Sequence, residues 1–368
     1  MFSNVDTLTN EKICELKTTI ESMSEKPMII ALQEVKPKNF KYDRLLAEYN
    51  LEGYEIIHKN LEKSSRGRGM LIYIQQSLKY TSVNIDIDFE EYLCIEIKLS
   101  GNDKLLFSSI YRSPSSTQLE NQKLCELLRK ICNMKYSHYI TVGDYNLPKI
   151  DWRNCTTPAG PGDVHFEFIE TLRDCFWEQH VTEPTRGRSD SSPSLIDLVI
   201  SNEEGMVGDI NILQPLGKSD HSTIVFKFLG YTKGQKEKVR LDYNKADYEN
   251  MKNLLEVDWD DILSGDVDNQ WKVFRNRLSC AIDLCIPQKV IRNTKRKKTI
   301  FVSRKLKAKM KRKERLWKRY RLHGDEVVYE QYKRVRNQVR RLSRQSVKDH
   351  EKHIAQSAKE TLRNSGHM

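Results

Sequence analysis

Over residues 1 to about 228, short β-type runs alternate with stretches of helical periodicity, and this alternation constrains the fold more than any other feature of the chain. The runs 28–35, 55–59, 70–74, 92–99, 105–111, 138–143, 195–201 and 223–228 read as strands. Between them, Ile13, Leu16 and Ile20 recur at helical spacing within 11–23, as do Leu124, Leu127, Leu128 and Ile131 within 119–134. A third helix, 165–176, presents Phe168, Ile169, Leu172 and Phe176 on one face. Strand–helix alternation predicts an α/β domain rather than a bundle or an all-β sandwich. Apolar residues that alternate with polar ones, such as Leu93, Ile95 and Ile97, suit two sheets packed face to face with helices outside. With 368 residues and 38% hydrophobic content, the chain can supply one such domain of roughly 200 to 250 residues plus an appendage.

The appendage is marked by charge. Residues 292–348 carry 23 Lys+Arg against 4 Asp+Glu, which leaves 39 against 47 elsewhere, so the net +11 conceals a mildly acidic body with a basic tail. Three segments are expected: a body over 1–228, an acidic helical linker over 229–290 in which Trp259 and Trp271 anchor short helices to the body, and a basic hairpin and tail over 291–368. In the hairpin, Leu306, Met310, Lys313, Trp317 and Tyr320 line one helix and Tyr332, Val335, Val339 and Leu342 the other, with His323-Gly324-Asp325 as the turn. The stripes are explained by the two helices zipping together, whereas the charge density suits contact with phosphate backbones through residues such as Lys297, Lys298 and Arg304. The eight cysteines show no CxxC pair and no zinc-ligand spacing, and neither a signal peptide nor an apolar run of roughly 18 residues is present. Reduced thiols and an intracellular location, nucleus or cytoplasm, are expected.

Chemistry concentrates at strand ends. Glu34 closes the apolar run 28–32, where a carboxylate at the mouth of a sheet can help hold a hard cation such as Mg²⁺ that keeps waters for reaction. Asp144 and Asn146 flank Tyr145 after a buried strand, so period-two geometry puts them on one side, and Gly143 lets backbone approach closely. That pair suits attack on phosphorus; an Asx turn closing the strand explains it equally well. Asp220-His221 shifts the balance by adding an imidazole beside a carboxylate. Asp197 lies within an otherwise apolar strand, where a carboxylate is costly unless paired, and is the candidate to orient the imidazole; a purely structural salt bridge is the alternative. Arg66 and Arg68 sit in a Gly-rich loop that can contact phosphate or simply form a solvated turn.

The ordered set Asn4-Val5-Asp6, Gln33-Glu34, Tyr111, Gly143-Asp144-Tyr145-Asn146, Asp197 and Ser219-Asp220-His221 resembles the endonuclease/exonuclease/phosphatase superfamily over roughly residues 2–228. Tyr111-Arg112-Ser113-Pro114, Glu183-Pro184-Thr185-Arg186, the run 194–205 and Leu216-Gly217-Lys218-Ser219-Asp220-His221 resemble one branch, the apurinic-type endonuclease of LINE (non-LTR) retrotransposons and in particular the chicken-repeat-like group. Cys285-Ile286-Pro287 and the basic helices resemble the linker leading toward a reverse transcriptase, a domain not expected within this chain.

The resemblance implies a DNase I-like four-layer α/β sandwich with a C-terminal basic helical extension, and a Mg²⁺-dependent hydrolase (Mn²⁺ serving as well) that nicks DNA to a 3′ hydroxyl and a 5′ phosphate. It implies Glu34 as a metal ligand, with Asp6 and Asp220 ligating directly or through water. Asn4 and Asn146 would orient phosphate or water, Tyr111 would support the phosphate or leaving group, Asp144 would transfer a proton, and His221 would contact the phosphate while Asp197 orients it. DNA is the implied substrate, and RNA a second partner for the basic tail. Only three residues precede Asn4, so the first strand is expected to be short and its grip on Asn4 weak. Pro114 stands where apurinic endonucleases often carry Asn, which detaches abasic-site recognition from the hydrolytic core. Two other readings share these residues: a phosphatase of the same superfamily, and a catalytically impaired nucleic-acid-binding remnant. Because every implied catalytic residue precedes Phe228, removing the tail is expected to spare the chemistry.

Overall fold

The structure, a computed structural model, describes residues 1–37, 46–62, 67–187, 192–230, 239–262, 266–290, 300 and 302–365. In chain order it holds β1 (Phe2–Asn4), α1 (Asn10–Ser22), β2 (Ile29–Gln33), β3 (Tyr54–Lys59), β4 (Met70–Gln75), β5 (Tyr80–Val83), β6 (Tyr92–Lys98), β7 (Lys104–Ile110), α2 (Gln118–Cys132), β8 (His138–Asp144), α3 (Val164–Asp174), β9 (Glu178–Gln179), β10 (Asp197–Ser201), β11 (Val207–Leu213) and β12 (Thr223–Phe228). There follow β13 (Val239–Leu241), α4 (Tyr248–Leu255), α5 (Trp259–Ile262), α6 (Val267–Cys285), β14 (Gln288–Val290), α7 (Arg304–His323) and α8 (Glu326–Ser365).

Two six-stranded sheets form the body, in the orders β11-β12-β1-β2-β4-β3 and β5-β6-β7-β8-β10-β9. Three apolar clusters account for four layers. Phe2, Ala31 and Ile72 of the first sheet meet Ile95, Phe107, Val142 and Val199 of the second, forming the core between the sheets. Outside the first sheet, Ile13, Leu16 and Ile20 of α1 pack on Ile30, Leu32, Leu71 and Tyr73. Outside the second, Leu124, Leu128 and Ile131 of α2 and Phe168 and Leu172 of α3 pack on Leu106, Leu198 and Ile200. The chain is therefore a four-layer α/β sandwich with a helical C-terminal region.

Local signals set the helix ends. Thr117 and Glu120 form a reciprocal capping box at α2, Asp163 caps α3, and Gly324 ends α7 at φ +63. Within the two large sheets, four strands escaped the sequence pattern, as did β13 and β14 outside them. β1 is too short to carry a period, β5 is half exposed, β9 has two residues, and β11 shifts register between Gly208 and Asn211, where Asp209 takes φ +50. Short as it is, β1 pairs with β2 in parallel and with β12 antiparallel, so the weak grip expected at the start of the chain gives way to a central strand.

Met1–Tyr231 and Lys298–Met368 form one compact unit and Thr232–Lys297 a second. In the second, β13 pairs with β14, and Trp259 and Trp271 both pack on Phe274, at 5.4 and 5.7 Å between ring centroids, so these tryptophans find a partner within their own unit. In the first, α7 and α8 form the expected hairpin: Leu306, Val335 and Val339 make its core, and Trp317 meets Tyr332 at 5.0 Å. The hairpin also docks on α1, where Thr18 and Ser343 share a buried hydrogen bond of 2.9 Å and Arg340 pairs with Glu11. All eight cysteines are free thiols, and no helix among the described residues is long and apolar enough to cross a membrane.

Candidate active site

The ends of β1, β2, β8 and β10 converge with the loop before β12. Asn4, at the end of β1, is fully buried; its Nδ2 donates to Glu34 Oε1 and to Asp144 Oδ2, each at 2.8 Å, and its Oδ1 accepts from Asp6 N–H at 3.1 Å. Glu34 follows β2 and receives a second donor at Oε1, the Tyr111 hydroxyl at 3.1 Å. Its other oxygen pairs with Arg68 at 3.0 Å, and Arg68 also reaches Asp6 at 3.2 Å.

Asp144 ends β8. Its backbone N–H donates to Gln33 Oε1 at 3.0 Å, while Gln33 Nε2 donates to Ser109 Oγ and Ile110 O at 2.9 and 3.0 Å, so one amide side chain ties the two sheets together beneath the site. Gly143 permits this approach, since a Cβ there would lie 1.8 Å from Ile110 O. Asn146 does not follow the period-two expectation. The strand stops at Asp144, whose Oδ1 accepts from Asn146 N–H at 3.1 Å in an Asx turn, and Asn146 takes φ +49 and donates from its side chain to Arg112 O at 2.8 Å. It still lines the cleft.

His221 Nδ1 donates to Asp197, at 2.9 Å to Oδ2 and 3.1 Å to Oδ1, and Asp197 N–H is held by Thr185 Oγ1 at 3.0 Å. His221 Nε2 stands 3.7 Å from Asp144 and 4.0 Å from Asp220, beyond hydrogen-bond reach, and so is positioned to donate elsewhere. Asp220 Oδ2 accepts from Arg186 at 3.0 Å. Ser219 secures the loop: its hydroxyl donates to Asn4 O at 2.8 Å and accepts from His221 N–H at 3.2 Å. Asp6, Glu34, Arg68, Tyr111, Asn146, Arg186, Asp220 and His221 line a cleft of about 310 Å³, with Pro114 at its edge. Asp6, Thr7, Glu34 and Asn146 all have positive φ, strain of the kind that collects at functional sites.

Burial pushes the Asp144 carboxyl up to about 7, against the pull of the His221 charge. Burial alone would lower His221, but Asp197 and Asp144 outweigh it and hold the imidazole at about 10, so the ring is cationic at neutral pH. Tyr111 is raised out of the titrating range by burial and by Glu34, and remains a donor. The Asp144, Asp197 and His221 ligand atoms also lie within 4.8 Å of one another, a spacing that could hold a metal ion. Asp197 is fully buried and already hydrogen-bonded to the ring, which suits an orienting triad better than a metal centre.

The structure thus brings together Asn4, Asp6, Glu34, Tyr111, Asp144, Asn146, Asp197, Asp220 and His221, with Arg68 at the cleft. Arg66, Lys297 and Lys298 lie outside the described residues, and Arg304 is exposed at the start of α7. Gln33, Thr185, Arg186 and Ser219 also support the site; all four lie inside the sequence motifs, where nothing local sets them apart from the polar residues beside them.

Residues 105–225 match the family model described as endonuclease-reverse transcriptase. Comparison with curated proteins finds no match. Among solved structures, the endonuclease domain of TRAS1, a telomere-specific non-LTR retrotransposon, is 14% identical with a TM-score of 0.45 over 62% of this chain and 97% of that one. The AP endonuclease LMAP from Leishmania major is 15% identical with a TM-score of 0.47 over 61% of this chain and 85% of that one. The family match runs from β7 into β12, and Asp144, Asp197 and His221 all lie within it.

Proposed function

We propose that the cleft hydrolyses phosphodiester bonds of DNA with a divalent cation, Mg²⁺ in the first place, nicking one strand to a 3′ hydroxyl and a 5′ phosphate. The biological setting is integration of a LINE-type retrotransposon of the chicken-repeat-like group. One observation carries the reading: buried Asn4 bridges Asp144 to Glu34, and Glu34 lines the same cleft as His221, which Asp197 clamps from behind. Glu34, Asp6 and Asp220 are hard oxygen donors lining that cleft, each balanced by Arg68 or Arg186, and this donor set fits Mg²⁺. When bound, the ion would stabilise charge on the phosphate and the leaving oxygen.

The protein groups have separable tasks. Asp144, titrating near neutrality, takes a proton from the attacking water. Cationic His221 donates from Nε2 to a phosphate oxygen. The Tyr111 hydroxyl and the Asn146 amide orient the phosphate. As water adds to phosphorus, the bond to O3′ breaks, the departing O3′ takes a proton from solvent to become the 3′ hydroxyl, and the 5′ phosphate stays with the downstream strand. A firmly held, fully buried Asn4 favours a competent site over a decayed remnant.

Nicking of supercoiled plasmid should require Mg²⁺ and stop with EDTA; EDTA-resistant nicking, or none with either Mg²⁺ or Mn²⁺, would overturn the proposal. Glu34→Gln keeps the shape and removes a ligand charge, so the Mg²⁺ concentration for half-maximal rate should rise about tenfold or more. An unmoved titration would take Glu34 out of the ion's coordination.

Nucleic acid has a second surface. On α7, Arg304, Lys311, Arg315 and Lys318 recur at i, i+7, i+11 and i+14, all exposed on one side and spanning roughly 21 Å. We assign this row to phosphates of the DNA, or of an RNA partner. Replacing Lys311 and Arg315 with Gln should flatten the dependence of log binding constant on log salt by roughly 2, since counterion release scales with phosphate contacts. An unaltered slope would leave the row a solvated face.

A further inference from the structure

Lys313 lies midway along the apolar stripe of α7 and is 1% exposed. Its ammonium pairs with Glu15 of α1, 2% exposed, and donates to Pro215 O at 3.1 Å. The other oxygen of Glu15 accepts from Gly217 N–H at 3.2 Å. Gly217 takes φ +63 with Lys12 packed against it, so close that a Cβ would meet Lys12 Cγ at 2.7 Å. The Lys12 ammonium in turn donates to Val5 O and, at 2.9 Å, to Asp6 O. Two residues past Gly217 comes Ser219, which holds both Asn4 and His221. A second tie joins the same helix to the cleft wall: Arg321 donates to Glu183 and to Pro184 O at 2.8 and 3.0 Å, two residues before Arg186.

A buried ion pair that merely joined two helices would gain little over apolar packing, because desolvation offsets the attraction. Here both partners direct their remaining hydrogen bonds to the backbone of one loop, and that loop carries Asp220 and His221. We infer that Lys313 and Glu15 are positioning residues of the cleft: α7 clamps loop 215–221 against α1, and the C-terminal hairpin is a working part of the nuclease domain. The inference revises the expectation that the tail can be removed without touching the chemistry. It rests on the phosphodiesterase reading only for its kinetic arm.

The full chain serves as the test, with three variants. Lys313→Met leaves Glu15 buried without its ammonium; amide hydrogen exchange across 214–222 should quicken about tenfold or more and kcat for nicking should fall by at least tenfold, with KM within about threefold. Since that variant can also lose stability, Glu15→Gln/Lys313→Met removes both charges. Its melting temperature should return close to the parent's, while Pro215, still untethered, keeps exchange fast and kcat low. Lys130→Met, on α2 in the opposite outer layer, should match the parent throughout. A double variant with parental exchange and parental kcat would overturn the inference and leave the pair a helix–helix contact. If the parent does not nick at all, the proposed function fails, and the exchange measurement still decides whether α7 holds the loop.

Discussion

Replacing Asp144 with Asn is expected to slow plasmid nicking by about 10³- to 10⁴-fold, toward the upper end of what a positioned general base supplies. Asn keeps the volume at a fully buried site and can still accept from Asn146 N–H, but its amide nitrogen would face the Asn4 Nδ2 that donates to Asp144, so the melting temperature should fall by several degrees while the fold persists. The parent enzyme carries a matching signature. Burial raises Asp144 from 3.8 to about 7, so the base is protonated below neutrality and the rate should climb as pH rises through about 7. The same shift costs stability in a defined window. Between about 4 and 7 the folded state holds a proton the unfolded chain has released, so this group's contribution falls as pH rises across that range. Nicking by Asp144→Asn within about threefold of the parent, or a rate already flat from pH 5 to 8, would remove Asp144 from the proton-transfer step.

The strands that carry Glu34 and Asp144 were legible because their interior residues are apolar and the polar groups appear where the runs stop. The first strand was not: three residues hold no period, and what makes Phe2–Asn4 central is pairing on both sides with segments about 30 and 220 residues away. Long-range pairing of that kind leaves no local trace. Asn146 failed for a related reason. Period two holds only while the strand continues, and the Asx turn at Asp144 ends it. The support beneath the site was harder still. Gln33 reads as one more polar residue beside Glu34, and only the packing of two sheets puts its amide against Ser109, Ile110 and Asp144.

Lys313 did leave a signal. It interrupts an apolar stripe between Met310 and Trp317, and a charge at a core position predicts a buried counter-charge. The sequence offered no means of choosing Glu15, some 300 residues earlier, so charge density alone made the helices look like an external arm. Docking of the hairpin on α1 separates two sets of cations: Lys313 and Arg321 pair with Glu15 and Glu183 of the α/β body, while Arg304, Lys311, Arg315 and Lys318 are exposed on the other side of α7.

Asp197→Asn should reduce the rate by up to about 10⁴-fold, the drop seen when a triad loses its orienting carboxylate. The fold has reason to survive: Asn fills the same space, and the Asp197 N–H bond to Thr185 does not involve the side chain. What changes is the imidazole. Among the groups that hold His221 at about 10, Asp197 is the strongest, so without its charge the ring should titrate lower, with Asp144 and Asp220 still favouring the cation. The alkaline limb of the rate profile, expected near 10 in the parent, should therefore move down by a unit or more. Stability carries the same sign. A histidine raised on folding adds stability that is complete below about 6.5 and lost as pH climbs through about 10, so denaturant midpoints of the parent should decline between pH 7 and 10 more steeply than those of the variant. An alkaline limb that stays in place with Asn at 197 would mean that His221 is not the group titrating there, and that the Asp197 carboxylate serves the packing of β10 rather than the reaction.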